Sequence, residues 1–156
     1  METAEGVRAV PDNLVTIASA TSPDSAMKSR IDNAIAAAEC LVVLIGEHTD
    51  ADPQVIYAVG RAVHEFRTPV IGVRIDKLAD DDGAQGLPGD DPFSRSGLSA
   101  RALLQIDTYD PPFTTSVFAR SHIRYSLRDW MESAIRESMR RNEARGRRMR
   151  PSATCA

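Results

Sequence analysis

The sequence is short of several things, and each shortage removes a class of protein. No stretch of its 156 residues approaches the roughly 18–20 apolar positions that a helical membrane span needs. The first residues, METAEGVRAVPDN, have neither a basic start nor an apolar run, so they do not read as a secretory signal. Cysteine occurs only at positions 40 and 155. One opens an apolar run and the other lies beside the C-terminus, so both read as free thiols in a reducing compartment. The cytoplasm is the expected location. Phosphate loops are absent too: neither G-x-G-x-x-G nor G-x-x-x-x-G-K-[ST] occurs. With 19 basic and 22 acidic residues the formal charge is -3, which gives no global pull toward nucleic acid or a lipid surface.

What charge there is lies unevenly. Residues 76–91 (DKLADDDGAQGLPGDD) hold six Asp against one Lys, and residues 140–150 (RRNEARGRRMR) hold six Arg against one Glu. The acidic run lacks the alternating D-x-[DN]-x-[DN]-G spacing of a calcium loop. The basic run lacks interleaved aromatics, so it reads as a solvated tail and nucleic acid is not an expected partner. His48, His64 and His122 are far apart in sequence, and no metal site is expected.

Hydrophobic patterning supplies the architecture. Residues 1–12 read as a loose leader, and 13–18 (NLVTIA) as a short strand. Met27, Ile31, Ala34, Ile35 and Ala38 recur at three- and four-residue steps, predicting a helix over 25–38. Residues 40–46 (CLVVLIG) are continuous rather than alternating, which predicts a central strand covered on both faces. Asp52 and Pro53 supply a cap and a first-turn proline for a helix over 54–66, with Val55, Val59, Ala62, Val63 and Phe66 inward. Residues 69–75 (PVIGVRI) form a second buried strand, 76–98 a long acidic loop, and 102–106 (ALLQI) a further short strand. A last helix spans 116–142, with Ile123, Leu127, Trp130, Met131, Ala134 and Ile135 in one stripe. The domain proper is therefore placed at 13–142, followed by a basic, disordered tail at 143–156. Strands alternating with helices imply right-handed crossovers and a parallel α/β sheet. Ligands in such sheets bind beyond the C-terminal strand ends. Gly46, Glu47, His48, Thr49, Asp50 and Asp52 stand at that rim, either as a site or as a polar connection with a helix cap.

Residues 29–93 carry a recognisable order: I-x-x-A-I before the strand, VVLIGEHT at its end, a helix leading into PVIGVRI, and a D/G loop closing on D-P-F. Together with TYDPP and the final amphipathic helix, this resembles the TIR-like domains related to the Thoeris antiphage protein ThsB. The resemblance implies a flavodoxin-like sheet and a part in bacterial antiphage defence and nucleotide signalling. Active members consume NAD and release a cyclic ADP-ribose-type signal, so NAD enters as substrate or ligand rather than as a resident cofactor. Gly46, His48, Thr49 and Tyr57 are then the positions expected to meet the nucleotide.

Two departures from the pattern bear on that reading. The family's glutamate falls in a W-V-x-[WY]-E-I-like segment, and Ala58 of Gln54-Val55-Ile56-Tyr57-Ala58-Val59 stands in its place. Glu47 and Asp52 are the substitute carboxylates. The N-terminus also lacks an F-x-S-F-like run, so the first strand–helix unit is expected to be shortened or missing, with an exposed sheet edge for a partner to cover. Three readings stay open: an NAD hydrolase or cyclase, a non-catalytic module that binds a nucleotide or associates with itself, another TIR domain or a defence protein, and a nucleoside deoxyribosyltransferase-like enzyme. The last also requires a glutamate in the helix carrying Ala58.

Overall fold

The computed structural model describes residues 21–148. The expected leader, the 13–18 strand and Cys155 lie outside them. Helix α1 (Ser25–Ala37) starts where Asp24 Oδ1 accepts the Met27 N–H at 2.8 Å, and it buries Ile31 and Ile35. Strand β1 (Leu41–Ile45) follows. Helix α2 (Pro53–Arg61) begins on the Asp52 cap, whose Oδ1 accepts from the Gln54 N–H at 2.8 Å, and Pro53 occupies its first turn. A wider π-type turn, Ala62–Phe66, extends α2 and closes at Arg67 in the left-handed conformation, φ 54°. Strand β2 (Val70–Arg74), helix α3 (Ala100–Leu103), strand β3 (Asp107–Tyr109) and helix α4 (Ser116–Arg148) complete the order.

The three strands are parallel in the order β1-β2-β3, with Leu41 opposite Val70 and Ile71 opposite Asp107. One face of the sheet is packed by α1 and α2: Ile31, Ile35, Val43, Ile45, Ala58, Val59, Ala62 and Val70 form a single buried cluster. Full burial of an Ile or Val contributes roughly 1.5–3 kcal/mol, so this cluster dominates the fold's stability. Phe93, from the acidic loop, completes it by sitting on Gly72 of β2. A Cβ at Gly72 would come within 2.9 Å of the Phe93 ring, so only glycine leaves the notch that this ring fills. The other face carries α4, which stacks Trp130 on Tyr109 with centroids 4.3 Å apart and planes 9° apart.

Several sequence expectations are corrected. The doubly covered strand is β2, not β1: Val70–Val73 are buried on both faces, whereas Leu44 of β1 is 50% exposed while Val43 and Ile45 are buried, because α4 packs over β2. Residues 102–106 do not form a strand. Ser99 caps the turn that follows it by accepting the Ala102 N–H at 3.2 Å, which winds α3, and β3 starts only at Asp107. The last helix does not stop at 142: α4 continues to Arg148, where Glu137 and Glu143 reach arginines one turn on. At 33 residues α4 is roughly 50 Å long, far beyond a five-residue strand of roughly 17 Å. Its apolar stripe is accordingly half-buried, with Ala119 alone fully covered. Among the described residues no helix is long and apolar enough to cross a membrane.

Candidate functional site

The C-terminal ends of β1 and β2 are built by two loops that bind each other. Gly46 leaves β1 and donates its N–H to Thr49 Oγ1 at 2.9 Å, while the Thr49 hydroxyl donates to the Leu44 carbonyl at 3.2 Å. Both hydrogen bonds hold the Thr49–Ala51 turn, so this hydroxyl is engaged in the fold. Asp50 is buried in that turn and meets Arg95 of the acidic loop at 3.3 Å. Arg74, at the end of β2, donates to the Gly89 carbonyl at 2.8 Å. Gly89 itself lies flat on the β1 loop: a Cβ there would overlap the Gly46 carbonyl, so a side chain of any kind is excluded. The acidic loop thus folds back over the strand ends and is pinned by Gly89, Arg95 and Phe93.

That arrangement separates the residues the sequence groups together. Glu47 and His48 stay at the surface, 3.8 Å apart, with the His48 side chain 88% exposed. Asp52 caps α2. The Tyr57 hydroxyl lies 3.2 Å from Asp32 Oδ1, so the tyrosine is engaged with α1. Ala58 is 5% exposed and belongs to the core cluster that contains Phe93. Gly46 and Thr49 remain together at the rim, whereas Tyr57 and Ala58 occupy the helix interface and the core.

Two features had no sequence signal. One is a polar clasp between α1 and α2, in which Arg61 donates from Nε to Asp32 Oδ1 at 3.0 Å and from Nη2 to Oδ2 at 2.9 Å. The two-pronged hydrogen bond from Arg61 holds the Asp32 carboxyl below its ordinary range, aided by the Tyr57 hydroxyl. Burial, and then Asp32, push the Tyr57 phenol up. The other is Gln54, 3% exposed, whose Nε2 donates to the Thr21 carbonyl at 3.3 Å while its Oε1 has no partner among the described residues. Helical spacing places Gln54 and Ala58 in one row of α2, beside the row of Val55 and Val59, which also packs on the core as the sequence predicts. Cys40 is inert by its surroundings: burial pushes its thiol up to about 11.

A parallel sheet with helices on both faces and its loop-built rim at the C-terminal strand ends defines an α/β domain of flavodoxin-like, TIR-like architecture. Residues 9–80 match the family model described as Thoeris protein ThsB, TIR-like domain, a little under half of the chain. Over that segment the chain is similar to the TIR-like domain of Thoeris ThsB. The match begins well before Ser29, the start of the recognisable order, and so takes in 13–18. It stops before D-P-F, TYDPP and α4. A search of curated proteins found no match.

Proposed function

We propose that the chain serves Thoeris-type antiphage defence as a TIR-like interaction module, binding a nucleotide or another TIR domain without turning NAD over. The observation that carries this reading is Ala58, which the resemblance sets at the place of the family's glutamate. It is a buried methyl group in the core cluster that also holds Phe93. Cleavage of the bond to nicotinamide passes through an oxocarbenium-like state that a nearby carboxylate must stabilise, and alanine offers none. The substitute carboxylates are otherwise placed, Asp52 capping a helix and Glu47 beside His48 at the surface. The same alanine counts against a deoxyribosyltransferase-like reaction.

The test is nicotinamide release from NAD, followed by chromatography, on the full chain. Little or no release is expected. Rapid release abolished by Glu47→Gln or Asp52→Asn overturns the reading. Asn caps a helix about as well as Asp, so the second variant removes the charge and keeps the fold.

A further inference from the structure

A concavity lies at the opposite end of the sheet, where β2 and β3 begin. It encloses about 160 Å³ and is lined by four arginines and no carboxylate. Three separate stretches of chain deliver them: Arg67 from the turn that ends the α2 extension, Arg101 from α3, and Arg141 and Arg145 from α4. Ser99 and Ser138 add hydroxyls, and Val70 and Ile106 add apolar wall. Glu137 reaches Arg141 at 3.7 Å from outside the cleft, while Arg67, Arg101 and Arg145 have no ion-pair partner within 4.0 Å among the described residues. Guanidinium groups cannot shed their charge, so four around one hollow repel one another until an anion enters.

We propose that this cleft binds the phosphate group of a small phosphorylated ligand, independently of the rim at the C-terminal strand ends. Planar guanidiniums approach phosphate oxygens in pairs, and serine hydroxyls complete the shell. The volume decides the size class. Drug-sized ligands fill roughly 300–1,000 Å³, so a cleft of about 160 Å³ takes a phosphate or pyrophosphate group with the rest of the ligand outside. No aromatic side chain lines the cleft, and without a ring for bases to stack on, a single-stranded nucleic acid is disfavoured as the occupant.

Calorimetric titration of the full chain with inorganic pyrophosphate and with adenosine diphosphate tests this. Pyrophosphate is expected to bind with one site per chain, and Arg67→Gly and Arg141→Gln are each expected to weaken it about tenfold. Adenosine diphosphate binding tighter than pyrophosphate, with the same sensitivity to both variants, identifies a nucleotide phosphate as the source, and equal affinities identify free phosphate groups. Both outcomes support the cleft. Glycine suits the left-handed backbone at position 67, so the Arg67→Gly variant should melt no lower than the parent, and its loss of binding reads on charge. Unchanged pyrophosphate affinity in both variants overturns the proposal. So does an oligonucleotide that binds more tightly than pyrophosphate and weakens equally with Arg147→Gln, outside the cleft. Assembly of the parent chain that Asp81→Asn abolishes, with no pyrophosphate bound, would also overturn it, by making the acidic loop of a second copy the occupant.

Discussion

The two ends of this small parallel sheet are opposites. At the C-terminal ends the chain closes on itself: Gly89 rests on Gly46, Asp50 meets Arg95, and Phe93 fills the notch over Gly72. At the N-terminal ends it stays open, with four arginines around a hollow. The first end is where an α/β sheet of this kind ordinarily receives ligand, yet its polar groups are largely committed to the fold. The second has charge that the fold leaves unused. Position in a fold therefore nominates a site, while uncommitted chemistry decides whether one exists.

The sharpest way to break the contrast is to place a glutamate in the core cluster behind the closed end. Ala58→Glu would bury a carboxylate among Val59, Ala62 and Phe93, at an expected cost of about 3–5 kcal/mol, read from the urea midpoint. A stable variant would show that this end is open after all. Gly89→Ala comes next. The methyl group must displace the Gly46 carbonyl, and overpacking of this kind costs about 1–3 kcal/mol by the same measurement. At the open end the sign reverses. Arg67→Gly relieves a left-handed backbone worth about 1–2 kcal/mol but loosens the unfolded chain, so a net gain of about 0.5 kcal/mol is expected.

The smallest effect concerns the α1–α2 clasp, which belongs to neither end. Asp32 titrates below its ordinary 3.8 in the folded protein, because Arg61 and then Tyr57 hydrogen-bond to its charged form. Its contribution is present above the unfolded value and is lost as pH falls through the folded one. Asp32→Asn should therefore lower stability at pH 6 and flatten the loss of stability between pH 4 and pH 2. Thermal melts across that range, compared with the parent, check it. An unchanged acid limb would show that the clasp adds nothing.

Much of the frame was legible in the sequence. Ile31 and Ile35 gave α1 its buried face, Asp52-Pro53 gave α2 its start, and LVVLI and VIGVR were the two strands. Errors came where a local bond outvoted a pattern, as when the Ser99 cap turned ALLQI into a helix end. The closed rim was illegible for another reason. A glycine in a D/G-rich loop reads as a turn, and nothing in its neighbours reveals that Gly89 lies against a backbone 43 residues earlier in the chain. The arginine cleft was hidden in the same way. Arg67 and Arg101 are unremarkable alone, and Arg141 and Arg145 read as the start of a solvated tail.

The division of labour within the acidic loop has a practical consequence. Its second half is fastened at Gly89, Phe93 and Arg95, but its first half is a small hairpin, bridged between Ala79 and Gln85. The Gly83 tip, φ +82°, faces open space. Lengthening a loop whose ends are already held costs only about 0.6 kcal/mol per doubling. The tip beside Gly83 is therefore the place to splice in an epitope or a reporter, and residues 89–96 are where such a graft would pull the sheet apart.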